Sequence, residues 1–563
     1  MSNSTHKSSK FENFIYQILQ KPSKKFLVAI LVLLSLVGSI MMIPSEAVLV
    51  KMLPSKSANT FNIYIDTLVG SSIEETTKVT QCISSILSKE EAVADIELYL
   101  GEGSPLDYAG LVKGSALKNA EHYAEMVINL TDKHEREEKS YNLVHRLRPI
   151  IQEKCEPRDK PISIQMIEMP SGPPMLASVV VEVYGDNTKR LEALSKQVAT
   201  VMDTTNGLVD INIMANYVQK EYKLKLNTDK ITKSGLSVSQ INKILYLAFE
   251  GMGVAVKSTM KSSSQIPIFV KLNDESISLD ENNLQNLHIK LSALKLMNKQ
   301  GMMVPLTEVI SLEKSLSDPM IYHKDLHTMV NVTAETDMVS QVYPLLDARK
   351  IMIELFSMNY DVEEQLGLST YMFDLKLKDK ETGANYLIRF DGEMKVTLDT
   401  FRDLGTAFIA ALLLIFIVFV IYYKSFAISG IILGGSFLSI IGVIVGHWVA
   451  DIVTVETFFL TATSLIGFIA LMGISSRNSL LMVDFAQGLI KSGMDKREAI
   501  AHASATRAKP IMLTAIAIIL GSALLTSDPV FGGLGVALIS GTVAAVIISL
   551  IFIPILMDNT KSI

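Results

Sequence analysis

Two groups of long apolar runs, one at each end of the chain, most constrain how this sequence can fold. Residues 26–43 (FLVAILVLLSLVGSIMMI) form one uncharged run, and residues 403–556 hold five more, at about 405–422, 427–449, 459–485, 510–527 and 531–556. Each run is close to the roughly 20 residues that a helix needs to cross a bilayer core of about 30 Å. The pattern therefore predicts six transmembrane helices, with a polar stretch of about 360 residues after the first.

The first run has a second interpretation, because lysines precede it and small residues follow it, as in a cleavable signal peptide. Its 18 residues exceed the roughly 7 to 15 of a signal-peptide core, so we interpret it as a retained membrane helix. The segment 10–20 (KFENFIYQILQ) before it is amphipathic, which predicts a helix on the inner membrane surface. The basic tail MSNSTHKSSK favours a genuine chain start.

The connections between the runs predict an orientation. Basic residues precede the first run and recur in alternate connections and after the last run, at Lys424, Lys491, Lys496, Arg497, Arg507, Lys509 and Lys561. The opposite connections carry His447, Asp451, Glu456 and Asp528 and have no Lys or Arg. By the positive-inside rule, both termini lie in the cytoplasm and the long polar stretch is exported. In a bacterium, this predicts an inner-membrane protein with a large periplasmic domain.

The polar stretch alternates short β-patterned runs with amphipathic helical ones, which indicates βαβ units. The first unit runs through 61–65, a helix at 73–87 and 94–100, and the second through 125–130, a helix at 133–151 and 162–166. After a proline-rich linker (MPSGPPM, 169–175), a third unit covers 178–184, 188–202 and 209–214. This style resumes at 329–335 and ends at 384–390, so the differently patterned stretch between them is predicted to be an insertion.

Several functional classes lack support in the sequence. The net charge of -6 does not indicate a nucleic-acid partner, and no GxxxxGK[ST] phosphate loop points to ATP. No His, Cys or Asp cluster has the spacing of metal ligands. The 27 methionines raise soft-metal transport as an alternative, with Met166, Met169 and Met175 as its best candidates. Cys82 and Cys155 fit a disulfide if the stretch is exported, although two unpaired buried cysteines are the commoner case.

Arg477 is the most informative single residue. It lies within an apolar run, in FIALMGISSRNSLLMVDF, where an arginine costs about 2.5 to 3.5 kcal/mol and usually has a partner. The only carboxylate in the six runs is Asp484, about 10 Å further along the helix axis and too far for a good ion pair. One interpretation is that Arg477 reaches the cytoplasmic interface. The other is that it belongs to a proton-coupling cluster whose carboxylates come from another polypeptide.

The C-terminal third resembles the second half of the resistance-nodulation-division (RND) permeases. GISSRNSLLMVDFAQG is similar to the family's fourth-span motif in that half, with Arg477 at the cation position and Asn478 after it. ATRAKPIMLTAIAIILG resembles the next motif, with Arg507, Pro510 and Thr514 at matching positions. VKMLP, SSIEETTKV, LTDKHEREEKS, PSGPPM and MVPLTEV extend the resemblance over the chain from about residue 15.

The resemblance implies an α+β polytopic membrane protein with six transmembrane helices, ferredoxin-like βαβ porter subdomains and an inserted docking subdomain. The domains are then a cytoplasmic tail with an amphipathic helix (1–25), the first span (26–43), a first porter subdomain (44–168), a second in two parts (169–216 and 319–402), the docking subdomain (217–318), spans two to six (403–556) and a tail (557–563). Such proteins are transporters rather than enzymes and use the proton-motive force instead of a cofactor.

The sequence departs from the family in its length, because members usually carry two such halves and the proton-accepting aspartates lie in the first. By resemblance, the proton relay here would comprise Arg477, Asn478, Thr514 and Arg507, with arginine in place of the usual lysine. The expected partners are a first-half subunit carrying the aspartates, a periplasmic membrane-fusion adaptor and an outer-membrane channel, in a trimer of heterodimers. The alternatives are a SecD/SecF-like secretion accessory, a heavy-metal RND exporter and a non-transporting membrane protein.

Overall fold

A computed structural model describes residues 9–561 apart from 106–107, 157–161, 170–171, 174, 216–219, 262–264, 274–283, 318–319, 366–372 and 455–456. The basic tail before Ser9, Glu456 and part of the proline-rich linker therefore lie outside the described residues. The chain divides into two compact units, one of Met1–Ala215 with Ile321–Ile563 and the other of Asn216–Met320.

Two helices begin the first unit. Helix α1 (Lys10–Gln20) starts with a capping box in which Ser9 and Glu12 satisfy each other's backbone N–H groups. It buries Ile15, Ile18 and Leu19 against helices near the C-terminus of the chain. Helix α2 (Pro22–Met41) starts four residues before the apolar run, because proline is well suited to the first helical position.

A four-stranded sheet backed by helices follows, which we call the first subdomain. Its elements are β1 (Thr60–Asp66), α3 (Ile73–Leu87), β2 (Val93–Glu102), α4 (Tyr108–Lys113), β3 (Asn119–Leu130), α5 (Ser140–Cys155) and β4 (Ser163–Glu168). The sheet order is β2-β3-β1-β4 and all pairings are antiparallel, which is the ferredoxin-like arrangement. The apolar sides of α3 and α5 cover one face of the sheet, where Phe61, Ile83 and Leu147 are fully buried.

Helix α5 begins at Ser140, so the predicted helix at 133–151 is wrong in its first turns. The Arg136 guanidinium donates to the backbone carbonyls of Thr131, Glu138 and Ala58. Those bonds hold the charged residues before α5 in a turn, where a helix would direct the same carbonyls to its own N–H groups.

The chain then starts a second sheet with β5 (Val179–Tyr184), α6 (Thr188–Asp203) and β6 (Leu208–Met214). Strand β5 is buried along its whole length, which explains its run of valines. Asn187 caps α6 by accepting from the N–H of Arg190.

The second unit, Asn216–Met320, has a separate small core. It contains β7 (Lys220–Leu226), α7 (Thr228–Ser234), α8 (Val238–Phe249), β8 (Met252–Lys257), β9 (Ile266–Val270), α9 (Leu284–Ala293), β10 (Lys295–Met297), β11 (Met303–Pro305) and β12 (Ile310–Leu316). Its strands form three antiparallel pairs, β7 with β12, β8 with β9 and β10 with β11. Ile231, Ile241 and Leu306 lie at the centre of its core. Its bounds lie close to those of the predicted insertion, whose docking role stays a prediction.

The second sheet resumes with β13 (Tyr322–Lys324), β14 (His327–Thr336), α10 (Val342–Phe356), β15 (Tyr360–Glu364), β16 (Leu375–Asp379) and β17 (Asn385–Asp391). Its strand order is β13-β14-β5-β17-β16-β15, and β6 also pairs with β14. Strands β6, β14, β5 and β17 repeat the ferredoxin-like order of the first sheet, and β15 and β16 extend it beyond the prediction. We call residues 179–214 with 322–391 the second subdomain.

The last part of the chain is helical, with α11 (Glu393–Tyr423), α12 (Phe426–Phe437), α13 (Ile440–Val453), α14 (Ala462–Lys491), α15 (Lys496–Ala523), α16 (Gly532–Ile547) and α17 (Ile553–Asn559). Within the described residues, six helices are long and apolar enough to cross a membrane: Pro22–Met41, Glu393–Tyr423, Phe426–Val453, Ala462–Lys491, Lys496–Ser527 and Gly532–Asn559. Helices α12 and α13 together form one of these six, and α16 and α17 together form another.

Two predicted connections are helical instead. Helix α15 begins at Lys496, because Asp495 caps it by accepting from the N–H groups of Arg497 and Glu498. Arg507 and Lys509 therefore lie on α15 and not in a loop. On the other side, His447 and Asp451 belong to α13, since that helix continues past the end of the apolar run.

Candidate functional site

Arg477 lies midway along α14 and points out of the helix bundle. Its side chain is exposed and makes no hydrogen bond or ion pair with any described residue. Gly473, one turn earlier on the same side, is also exposed, and a Cβ added there would meet no atom within 4 Å. An arginine on a lipid-facing surface is costly, so this position requires a polar or acidic neighbour. The chain itself does not supply that neighbour among its described residues.

The other predicted relay residues do not gather around Arg477. Asn478 is only 4% exposed, on the buried side of α14. The Thr514 hydroxyl is on the exposed side of α15 and donates to the backbone carbonyl of Ile511 at 2.9 Å. Arg507 is half-buried, with its guanidinium 4.8 Å from the centre of the Phe485 ring. Its Nε has no hydrogen-bond partner among the described residues.

Asp484, the carboxylate on the same helix as Arg477, already has a partner. The Tyr423 hydroxyl donates to its Oδ1 at 2.7 Å, which joins α11 to α14. No ion pair links Asp484 to Arg477 or Arg507 in the described part of the chain. Whether the four residues form a relay stays a prediction, because the structure places two of them on the outer surface of the bundle.

A buried polar group that the sequence did not reveal lies between α13 and α14. His447 is fully buried, and its two ring nitrogens lie 2.8 Å from the Val443 carbonyl oxygen and 2.8 Å from the Ser464 hydroxyl. Since a carbonyl only accepts, Nδ1 carries the proton and Nε2 accepts from Ser464. The Ser464 hydroxyl also contacts Thr461, the N-cap of α14. This group joins two membrane helices and is fully satisfied by hydrogen bonds.

Outside the membrane helices, the two subdomains meet through a buried ionic contact that we call the seam. It comprises Arg148, Gln152 and Met166 from the first subdomain and Asp210 and Asp337 from the second. The Asp210 carboxylate accepts from Arg148 Nε at 3.3 Å, Gln152 Nε2 at 3.1 Å and the Met166 N–H at 3.0 Å. Arg148 Nη1 also donates to Asp337 at 2.8 Å. The side chains of Arg148 and Asp210 are 4% and 0% exposed.

Asp210 holds its place in the seam with an unusual backbone. Its φ is +54°, a left-handed value that aspartate tolerates better than most residues. It lies where the pairing of β6 with β14 shifts register between Thr333 and Glu335. A β-bulge of this kind redirects a side chain out of the regular alternation. Here it directs the carboxylate towards the first subdomain, and burial raises the pKa of Asp210 to about 6.

A cavity of about 100 Å³ lies beside the seam, and we call it the basal cavity. Its wall includes charged residues from both subdomains, from the segment after α2 and from the start of α11: Lys51, Lys56, Lys113, Arg148, Glu168, Glu335 and Glu393. It also includes the thioethers of Met52, Met166, Met169, Met175 and Met338. The three methionines singled out in the sequence therefore line one cavity. The described residues hold no group of three or more His, Cys, Asp or Glu that could bind a metal ion.

The charges in the basal cavity differ in how they are paired. Lys113 donates to Glu335 at 2.9 Å across the two subdomains. Burial opposes the charge on Glu335, but Lys113 and Ser178 together hold its pKa below the ordinary value. The Glu168 carboxylate, by contrast, makes no hydrogen bond or ion pair with a described residue, and burial raises its pKa to about 7. Burial also lowers the pKa of Lys51, against the opposing charges of Glu393 and Glu168.

A disulfide bond joins Cys82 in α3 to Cys155 at the end of α5. The commoner arrangement, two unpaired buried cysteines, is therefore not the one that this structure has. Disulfides persist in oxidising compartments, so the bond agrees with an exported first subdomain.

Fold and site together define a polytopic membrane protein with paired ferredoxin-like subdomains. A cation on the surface of its helix bundle has no partner among the described residues. The chain belongs to the AcrB/AcrD/AcrF family of RND permeases, whose sequence model matches residues 2–558. This is a family of efflux transporters. The match runs over nearly the whole chain and gives no separate support to the prediction of a second half from a split permease.

Individual relatives agree with this assignment. The chain is 23% identical over 569 residues to the swarming motility protein SwrC of Bacillus subtilis (strain 168), covering 98% of this chain and 47% of SwrC. Crystal form II of a heavy metal efflux pump matches with a TM-score of 0.71 and 14% identity over 97% of this chain and 51% of the pump. Crystal form I gives a TM-score of 0.70 and 14% identity over 98% and 51%. At this identity the likeness concerns the fold, and the chain spans about half the length of these relatives.

Proposed function

We propose that this chain is one half of a proton-driven efflux permease in a bacterial inner membrane, with its subdomains in the periplasm. It would export drugs or other amphiphiles through an adaptor and an outer-membrane channel. A first-half subunit would supply the proton-accepting carboxylates, in a trimer of heterodimers. The observation that carries the proposal is Arg477, a membrane-helix cation that is exposed and unpaired among the described residues.

No carboxylate of the described residues pairs with Arg477, so we infer that the acid is supplied by another polypeptide segment. Asp484 lies two turns along the helix and is bonded to Tyr423. A second copy of the chain would bring another Arg477 and another Asp484 in the same condition. Two like charges would then face each other in a medium of low dielectric constant, which is unfavourable. A different polypeptide segment with carboxylates at this depth would remove that cost.

In this arrangement Arg477 works as a fixed positive charge. An arginine side chain does not serve as a proton donor or acceptor in proteins, so the acids of the partner would take up and release the proton. When those acids are neutralised, Arg477 loses its counter-charge and changes its pairing. Thr514 lies on the exposed side of the next helix, and within the part of the chain that the structure describes its hydroxyl donates to backbone carbonyls alone. It is therefore available to a new partner when the pairing of Arg477 changes.

A heavy-metal exporter is the second candidate, and the five methionines around the basal cavity favour it. Thioethers bind soft ions such as Cu(I). Oxygen-rich ligands would be expected for a harder cation. The two candidates share the relay and differ in cargo, so one experiment separates them.

The test is efflux from cells that express this chain with and without a first-half subunit. We expect dye efflux only from the pair, and Arg477→Ala should reduce it to the level of cells that lack the chain, with normal assembly. Arg477→Lys should restore part of the activity, because it keeps the positive charge. Silver accumulation in the same strains distinguishes metal export from dye export.

Arg497→Ala is the matched control, since Arg497 is a half-exposed arginine at the start of α15 that pairs with Asp558. It should leave efflux nearly unchanged. Full efflux from this chain alone would contradict the need for a partner. Full efflux by Arg477→Ala would contradict the role of the cation.

A further inference from the structure

Three exposed methionines surround the turn between β10 and β11 in the second unit. Met297, Met302 and Met303 are 63%, 60% and 57% exposed. Methionine is one of the residue types most often fully buried, because its side chain is largely apolar. A single exposed methionine needs no explanation, but a group of three beside one turn points to a use for the side chains.

Two of these methionines are cross-strand neighbours on the same side of the hairpin. Met297 in β10 pairs with Met303 in β11, and the next pair is Leu296 with Val304. Leu296 and Val304 pack against the small core of the unit, so the alternation of a strand places Met297 and Met303 together on the outer side. The Cβ atoms of directly paired residues are about 4.5 to 5.5 Å apart. Two flexible thioether arms that start at this separation can bring their sulfur atoms to one ion.

A buried side chain holds the turn that carries the methionines. Asn298 is 6% exposed and donates from Nδ2 to the Ser234 carbonyl at 2.9 Å. Its Oδ1 accepts from the N–H groups of Gln300 at 3.0 Å and Met302 at 2.9 Å, and its own N–H donates to the Met302 carbonyl. These bonds fix the backbone of Met302 next to the paired methionines. A turn that is already ordered loses less entropy when it binds a ligand.

We propose that this turn binds one soft monovalent cation, Cu(I) or Ag(I), through thioether sulfur. Met297 and Met303 supply two ligands, and Met302 supplies the third. Thioethers select soft ions of this kind, whereas harder cations require oxygen ligands. The charged residues of the turn and of β10, Lys299 and Lys295, are both cations. They offer no carboxylate to a divalent ion and repel it more strongly than a monovalent one.

The site is separate from the basal cavity, whose lining residues all belong to the other compact unit. Its use, the capture of a soft ion for export, rests on the heavy-metal candidate of the proposed function, but the binding itself does not. Cysteine, histidine and carboxylate ligands must lose a proton before they bind a metal, so their affinity depends on pH. A thioether has no such proton. Binding in the turn should therefore be the same in weakly acidic and neutral solution.

The test is a titration of the full chain in detergent with silver nitrate in chloride-free buffer, where Ag(I) stands in for Cu(I) without redox chemistry. Carbon-13 labels on the methionine methyl groups report each exposed methionine by NMR, and methionine-to-leucine variants assign the signals. We expect the Met297 and Met303 signals to shift together and to saturate at one Ag(I), with the same midpoint at pH 5.5 and pH 7.5. Met260 and Met358 are also exposed but belong to no strand pair, so their signals should stay in place.

Met303→Leu is the decisive variant, because leucine keeps the volume and the apolar character of the side chain and removes the sulfur. Loss of groups that only support a metal ligand costs about 10-fold to 100-fold in affinity, so loss of a ligand itself should weaken binding at Met297 by at least about tenfold. Met260→Leu is the matched control and should leave the Met297 midpoint unchanged. Methyl signals outside the turn that keep their positions show that each variant is folded.

Three results would overturn the proposal. The first is a shift of Met297 and Met303 only at silver concentrations that also shift Met260 and Met358. The second is an unchanged Met297 midpoint in Met303→Leu, which would leave the methionines as an apolar surface without a metal. The third is a midpoint that rises as the pH falls, since a titrating group would then be a ligand. None of these readouts requires efflux, so failure here is distinct from failure of the pump hypothesis.

Discussion

At the scale of single residues, two arginines on α5 differ in how much they stabilise the protein, because one side chain points to the surface and the other is buried. Arg146 lies on the surface, 44% exposed, and pairs with Glu90 and Glu138. Arg148, two positions later, is 4% exposed and joins both aspartates of the seam. Exposed pairs are screened by water and contribute little, whereas removing one partner of a buried pair leaves an uncompensated charge.

Arg148→Ala should therefore destabilise the protein by about 3 to 5 kcal/mol, the usual cost of breaking a buried ion pair. Arg146→Ala, its matched control, should cost less than about 1 kcal/mol. Thermal unfolding of the full chain at pH 7.5 measures both. Equal shifts for the two variants would mean that the seam is not the main electrostatic contact between the subdomains.

Arg477 and Asp210 show what the sequence could and could not reveal about the site. Arg477 could be identified from the sequence, because a charged residue within an apolar run is energetically costly. Asp210 lies in an ordinary alternating strand, and nothing in that pattern reveals a left-handed backbone at a bulge. Its partners are 44 to 62 residues away in sequence, from Met166 to Arg148. A single sequence does not specify such pairings.

At the scale of elements, the disulfide between α3 and α5 secures the first subdomain. It closes a loop with a sequence separation of 73 residues. Such a closure reduces the entropy of the unfolded chain and stabilises the fold by about 4 kcal/mol in the simplest model. The bond also joins the two helices that cover one face of the same sheet.

Reduction should accordingly lower the unfolding temperature of the first subdomain. We expect calorimetry of the full chain to show a lower transition with a phosphine reductant than without it. The variant with Cys82→Ser and Cys155→Ser should already unfold at the lower temperature and should not respond to the reductant. A parent protein that does not respond, despite complete reduction shown by thiol titration, would contradict a stabilising role.

Element boundaries show where periodicity is a poor guide. Apolar runs located the membrane helices but not their ends, since α11 and α15 begin well before their apolar residues. Their starts depend on local signals, Gly392 with φ +85° before α11 and the Asp495 side chain before α15. The predicted helix at 133–151 failed for a similar reason, because the side chain of Arg136 secures a turn. Strands β15 and β16 were not predicted, because the earlier βαβ units have no corresponding strands.

At the scale of the whole molecule, the unit Asn216–Met320 is inserted between β6 and β13, two strands that lie in line along the same edge of β14. Met214 at the end of β6 lies opposite Asn331 of β14, and Tyr322 at the start of β13 lies opposite Met329. Strands β6 and β13 both run antiparallel to β14. The chain therefore leaves the edge of β14 opposite Asn331 and returns to the same edge opposite Met329, two residues away along β14. Only the place opposite Val330 separates them, and Ala215 can fill it.

Direct fusion of Ala215 to Tyr322 should therefore give one continuous strand. We expect the variant that lacks residues 216–321 to fold, with β14 still paired on both edges and an unfolding temperature within a few degrees of the parent, because distant units contribute independently. Circular dichroism, thermal unfolding and hydrogen exchange of β14 in the purified chain measure this. The variant would test the fold of the remaining unit and not its transport.

A deletion that is one residue longer, 216–322, is the stringent control. It places His323 opposite Met329, and a shift of one residue turns every following side chain of the strand to the other face of the sheet. The hairpin between β13 and β14 would then lose its register, and exchange at the edge of β14 should rise. If both deletion variants show the same lowered unfolding temperature and the same increased exchange in β14, the inserted unit is needed for the sheet to fold.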